Sequence, residues 1–185
     1  MSTIDYIKNF IKDKDVASIT PSSPFLVKRV CQKVDYSEPR VIVEYGPGTG
    51  VFTEYLLERL KPGSKVVLIE KNEGFVKILK ETLGQDPRVR VYEENAENVA
   101  AILRDAGETA ADYVLSGIPF SFLSDTVRTE LIEQTREILG PDGRFLVYQN
   151  YNHMEKPLRK HFDHVTKEYE LFNIPPMYAY EAMMT

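Results

Sequence analysis

A 185-residue chain with one cysteine, Cys31, cannot close an internal disulfide, and so sparse a thiol content fits a reducing cytosol. Cys31 lies between Val30 and Gln32 in an apolar helical pattern and reads as a core thiol. No apolar run approaches the roughly 20 residues needed to cross a bilayer. The N-terminus lacks the basic, then apolar, then small-residue order of a signal peptide, so a cytoplasmic protein is expected. Repeats, low-complexity stretches and long linkers are absent. Positive charge is scarce as well, with 23 Lys/Arg against 28 Asp/Glu and a net charge of −5. Residues 1–40 carry seven basic and five acidic side chains, which makes them +2 and leaves −7 on the rest. An acidic body is a poor partner for nucleic acid, whose phosphates supply most of the affinity in such complexes. His153, His161 and His164 have no further ligand at suitable spacing, so no metal is expected.

The most informative stretch is Val41-Ile42-Val43-Glu44-Tyr45-Gly46-Pro47-Gly48-Thr49-Gly50. Its β-branched start reads as a buried parallel strand. Glycines at 46, 48 and 50 then let backbone approach a ligand closely. Phe52, Leu56, Leu57 and Leu60 recur at helical spacing, so a helix starts near Thr49. A dinucleotide fingerprint would need its third glycine at 51, where Val51 stands. The acid before the turn and the alternate glycines instead resemble the first motif of the S-adenosylmethionine-dependent methyltransferases. A second apolar strand, Lys65 to Ile69, ends at Glu70, followed by Lys71. A carboxylate there could accept hydrogen bonds from both ribose hydroxyls of a nucleoside, or be a solvated charge at a strand end.

The rest of the chain alternates. Ile4, Ile7, Phe10 and Ile11 form the stripe of a helix over about residues 3–13, with Lys8 and Lys12 beside it. That helix either packs on the core or lies on an anionic membrane surface. Residues 1–35 read as a helical extension and 36–185 as the main domain. Ser23 is an N-cap and Pro24 the first position of a second helix. Strands are expected at 41–45, 65–70, 88–92, 112–116 and 144–149, with helices at 49–60, 72–83, 96–105, 122–139 and 153–162. Gly140-Pro141-Asp142-Gly143 closes the long helix, and strands at 164–171 and 177–183 suit a hairpin. This pattern predicts an α/β fold, a mostly parallel sheet with helices on both faces and ligands beyond the carboxyl ends of its strands.

Those ends carry Glu44 with Gly46, Pro47, Gly48 and Gly50; Glu70; Glu94-Asn95-Ala96; and Ser116-Gly117-Ile118-Pro119-Phe120. Asn95 and the Ala96 N–H could hold an adenine edge, or Asn95 could cap the following helix. Ser116 should lie beside the reacting methyl group. A carbonyl of Ser116, Gly117 or Ile118, fixed by Pro119, could orient an amine nucleophile. Tyr151 is the candidate proton acceptor, and Tyr148 a second aromatic at the same strand end.

The chain as a whole resembles the bacterial phospholipid N-methyltransferases, which convert phosphatidylethanolamine stepwise towards phosphatidylcholine and are distant relatives of the ribosomal RNA adenine dimethylases. The resemblance rests on Ile19-Thr20-Pro21-Ser22-Ser23-Pro24-Phe25-Leu26, on Glu44 to Gly50, on Ser116-Gly117-Ile118-Pro119, on Tyr148-Gln149-Asn150-Tyr151 and on Asn173-Ile174-Pro175-Pro176. It implies a Rossmann-like class I methyltransferase fold with a seven-stranded sheet and a C-terminal antiparallel hairpin. It also implies S-adenosyl-L-methionine as cofactor, an aminophospholipid acceptor and an N-terminal helix on anionic membrane, peripheral to its inner face. Glu94-Asn95 departs from the Gly-Asp common in such enzymes. The RNA dimethylases begin their amine-holding motif with Asn where Gly117 stands, and little chain follows residue 183 for their extra helical domain. RNA is therefore the weaker expectation, and no obligate protein partner is inferred. A soluble enzyme acting on a small molecule or protein, and a non-catalytic binding module, are the rivals.

Overall fold

The computed structural model describes residues 22–184. The stripe at Ile4, Ile7, Phe10 and Ile11 lies outside the described residues. Strands are β1 (Val41–Tyr45), β2 (Lys65–Glu70), β3 (Val89–Glu93), β4 (Ala111–Ser116), β5 (Leu139–Gln149), β6 (His164–Glu170) and β7 (Met177–Met183). Helices are α1 (Pro24–Cys31), α2 (Val51–Leu57), α3 (Glu73–Thr82), α4 (Val99–Asp105), α5 (Asp125–Ile138) and α6 (Glu155–His161). One seven-stranded sheet has the order β3-β2-β1-β4-β5-β7-β6. Only β7 runs antiparallel, pairing with β5 and β6. This is the Rossmann-like arrangement with a terminal hairpin that the sequence led us to expect. Among the described residues no helix is long and apolar enough to cross a membrane.

The period of two sorts side chains between two layers. Ile42, Val66, Leu68, Leu146 and Tyr148 pack with Leu26, Phe52, Leu56 and Leu79 of α1, α2 and α3. Val43, Tyr45, Val67, Ile69 and Val147 pack on the other face with residues of α4, α5 and α6. Glu44 belongs by parity to the α2 side. Helix starts follow local chemistry. The Ser23 hydroxyl accepts the Leu26 N–H at 3.2 Å, with Pro24 at the first position. Ser124 and Asn72 cap α5 and α3 in the same manner.

Helix ends shift by up to three residues from expectation, as in Val51–Leu57 for 49–60 and Asp125–Ile138 for 122–139, and two segments differ in kind. The helix predicted over 96–105 opens with a 3-10 turn, Ala96–Asn98, capped by Asn95. The Gly-Pro-Asp-Gly segment does not separate helix from strand. Leu139 already pairs with Ala111, and pairing resumes at Arg144 opposite Tyr113, so residues 140–143 loop out of β5.

Helix α1 is welded to the body. Leu26, Val27, Val30, Cys31 and Val34 join the α2-side core. Arg29 bridges Glu168 at 2.6 Å and Glu170 at 2.7 Å, and Lys33 pairs with Glu168 and Glu181. The described part of the N-terminal region thus shares the core of the domain behind it. Leu26→Ala should cost about 2–5 kcal/mol, the range for truncating a fully buried leucine. Urea unfolding checks this; an unchanged midpoint would mean that α1 contributes little to folding.

Candidate active site

Parallel register brings three loops to one level. Tyr45 is opposite Ile69 in β2 and Ser116 in β4. Gly46 N–H donates to the Ile69 carbonyl at 2.9 Å and Gly117 N–H to the Tyr45 carbonyl at 3.1 Å. The glycine turn, Glu70 and the Ser116–Phe120 loop therefore meet at the carboxyl edge. Gly48 has φ +58, and a Cβ built on it touches nothing within 4 Å. That residue needs glycine for its backbone, and its outer face is open as a ligand cradle would be. Gly50 faces the opposite limit, since a Cβ there would meet Leu83 at 2.8 Å.

Glu44 is fully buried. Its Oε2 accepts from Thr53 Oγ1 at 2.6 Å, while Oε1 has no hydrogen-bond partner. Burial raises its pKa to about 7, the Thr53 bond opposes this, and Glu70 adds to it by like-charge repulsion. Glu70 accepts from Gly48 N at 3.2 Å and Asn72 N at 2.9 Å. Its pKa is also raised by burial, against the pull of those N–H donors and of Lys71. Two buried carboxylates, one with an orphaned oxygen, beside an open glycine cradle call for a cationic ligand with hydrogen-bond donors. S-adenosylmethionine, with its ammonium, sulfonium and ribose hydroxyls, meets that demand.

The second loop is held from β5. Gln149 is buried and donates through Nε2 to the Ile118 and Tyr148 carbonyls, both at 2.7 Å, and its Oε1 accepts Phe120 N–H at 3.2 Å. The Ile118 carbonyl, expected to face an amine, thus already spends one lone pair on Gln149. Tyr148 stacks on Phe52 with centroids 4.4 Å apart. Any Cβ on Gly117 would come within 2.3 Å of the Tyr148 hydroxyl oxygen, so glycine is imposed there by the tyrosine. Burial, and then the nearby Glu44, Cys31 and Glu70, push the Tyr148 phenol well up, which keeps it protonated.

The structure thus gathers Glu44, Gly46, Pro47, Gly48, Gly50, Glu70, Ser116, Gly117 and Ile118. Buried Ser116 accepts the Ile118 N–H at 3.4 Å. Asn95 is exposed, and its Oδ1 faces Glu97 N at 3.4 Å, the capping geometry; Ala96 is buried behind it. Lys71 is exposed beside Glu70. Tyr151 is 68 % exposed and stands outside the buried group. Thr53 and Gln149 were not singled out from sequence. Thr53 sits on the buried stripe of α2 beside Phe52 and Leu56, which is the signal that could have found it.

Residues 4–104 match the profile of the ribosomal RNA adenine dimethylase family. An ornithine lipid N-methyltransferase from Singulisphaera acidiphila is 31 % identical over 172 residues, covering 89 % of this chain and 86 % of that one. A ribosomal RNA small subunit methyltransferase A from Thermotoga neapolitana is 32 % identical over 136 residues, 72 % of this chain but 48 % of its own length. In fold, the chain is similar to a SAM-dependent methyltransferase from Aquifex aeolicus, with a TM-score of 0.66, 13 % identity and full coverage of both chains.

The buried Glu44 makes a pH prediction. Its folded pKa of about 7 lies above the ordinary 4.5, so the folded state holds a proton that the unfolded chain releases. That contribution is intact below pH 4.5 and is lost as pH rises through 7, by about 3 kcal/mol at 1.36 kcal/mol per unit. Glu44→Gln keeps an acceptor for Thr53 and should flatten this slope. Denaturant titrations of both ligand-free proteins at pH 5 and pH 8 measure it. An equal stability gap at both values would sink the assignment.

Proposed function

The chain belongs to the ribosomal RNA adenine dimethylase family and is an S-adenosylmethionine-dependent methyltransferase, and we propose that its acceptor is the amine of an aminolipid such as phosphatidylethanolamine. The observation that carries this reading is the pairing of Gly117 with Tyr148. Where the RNA enzymes present an amide to grip an adenine amine, this chain presents a phenol under a bare glycine. A protonated, buried hydroxyl can accept a hydrogen bond from an alkyl amine and so aim its lone pair. The similarity to an ornithine lipid N-methyltransferase along most of both chains supports a lipid amine, and the −7 charge beyond residue 40 weighs against RNA.

In this reading the cofactor supplies a methyl group on a sulfonium, which passes to the amine nitrogen as the S–C bond breaks and the amine gives up a proton. The chain's share is alignment and exclusion of water. Glu44 and the backbone around Gly48 hold the amino-acid portion, and Glu70 beside Lys71 takes the ribose. Asn95 and Ala96 flank the adenine, and Ser116 closes the methyl side. Gln149 fixes the Ser116–Phe120 loop so that Tyr148 keeps its aim. Tyr151, at the exposed lip, is the proton acceptor open to water. The enzyme works as a cytoplasmic protein at the inner membrane face.

Two binding variants test the cofactor site by calorimetry. Gly48→Val should abolish S-adenosylmethionine binding, because the side chain fills the open cradle at a φ that β-branched residues avoid. Glu70→Ala should weaken it by about 1.5–3 kcal/mol. Wild-type affinity in both would remove the site. For the acceptor, protein, methyl-labelled cofactor and a total lipid extract are incubated and the products separated by head group. Label should enter an aminolipid. Label found only in a water-soluble amine, without vesicles, would favour the soluble-substrate alternative.

A further inference from the structure

The large apolar side chains exposed among the described residues are not scattered. Leu171, Phe172 and Ile174 form the β6–β7 turn, with Phe172 70 % and Ile174 81 % exposed. Phe25, at the start of α1, leans on Phe172 with ring centroids 5.2 Å apart. Phe122 follows β4 and Tyr151 follows β5. The seventh, Tyr169, is opposite Tyr178, which in turn pairs with Gln149 at the end of β5. Because β6 runs parallel to β5, its turn projects from the carboxyl edge. All seven therefore rim the edge that holds the candidate active site.

The turn is built rather than slack. Asn173 is buried; its Oδ1 accepts Ser23 N–H at 2.7 Å and its Nδ2 donates to the Pro175 carbonyl at 2.7 Å. Phe172 N–H donates to Glu170 at 2.9 Å, and Glu170 is held by Arg29. Polar atoms are thus satisfied inside while apolar side chains face out, the reverse of a solvated turn.

We propose that this rim seats the protein on a lipid bilayer, with the turn and Phe25 entering the interface and the active-site mouth facing the head groups. The inference rests on the aminolipid reading, which requires the mouth to reach an amine anchored by its acyl chains. The occupant is argued from where the chain enters. The 21 residues before Ser22 join the body at Ser23, bonded to the turn, and they carry Ile4, Ile7, Phe10 and Ile11 beside Lys8 and Lys12. The residues outside the described part attach beside this turn and are, by sequence, apolar with basic neighbours, which is the pattern of interfacial binding.

The test uses the full chain. Phe172→Cys is labelled with a polarity-sensitive thiol dye; Cys31 is fully buried and stays unlabelled. Vesicles of phosphatidylcholine and phosphatidylglycerol, which carry no primary amine, are then added. The expected result is a blue shift, quenched by spin-labelled lipid. Phe172→Asp combined with Ile174→Asp should lower vesicle co-sedimentation at least tenfold while S-adenosylmethionine affinity stays within twofold. A dye unmoved by vesicles overturns the proposal. So does a dye already in an apolar setting without them, because the N-terminal segment or a second copy would then cover the rim. Docking without any acceptor amine separates the two ideas. If a non-lipid acceptor is found while the dye still shifts, the function reading fails and the rim stands. Aminolipid methylation with an unmoved dye removes the rim alone.

Discussion

The site depends on β1 being paired on both sides in parallel, with Tyr45 level with Ile69 and Ser116. That register ends three strands in one plane. The backbone donors of Gly46 and Gly117 are then spent on neighbouring strand ends. A slip of one residue would turn Glu44 to the α4–α5 layer and take its carboxylate away from Thr53 and Glu70. The two acids, the glycine turn and the Ser116–Phe120 loop are one consequence of sheet pairing.

Electrostatics then set what the cradle accepts. Glu44 and Glu70 are both desolvated, and the charge of Glu70 makes that of Glu44 harder to hold. Without a ligand Glu44 shares its burden only with Thr53. A cation placed beside them would relieve this cost. The acidic surface beyond residue 40 does not explain this, since solvent screens exposed charge strongly.

Much of this was legible in the sequence. The β-branched run at 41–43, the glycines at alternate positions and the acid at or next to the end of each of the first two strands marked the corner where the structure gathers Glu44, the glycine turn and Glu70, because period and turn chemistry are local. Ser23 and Pro24 marked the start of α1 for the same reason. What escaped notice is long-range. Gly117 could be seen to lack an amide, but not that Tyr148, 31 positions on, occupies its place. Gln149 was one letter of a motif until its bonds to the Ile118 and Phe120 backbone were visible. Tyr151 stood out at a strand end, yet parity along β5 sends Tyr148 to the α2 layer and leaves Tyr151 beyond the strand. The early start of β5 was hidden because Gly-Pro-Asp-Gly reads as a terminator, whereas Leu139 pairs before the loop begins.

That loop has an engineering consequence. Residues 140–143 leave and rejoin β5 near its amino end, and Pro141 and Asp142 stand in solvent. Gly143 is confined, since a Cβ there would lie 2.9 Å from the Gly140 carbonyl, so that glycine must stay. Between Pro141 and Asp142, however, the chain can be lengthened without touching a paired residue. A fluorescent protein or affinity handle inserted there would sit at the far pole from the catalytic edge, where a reporter can be carried without obstructing the enzyme.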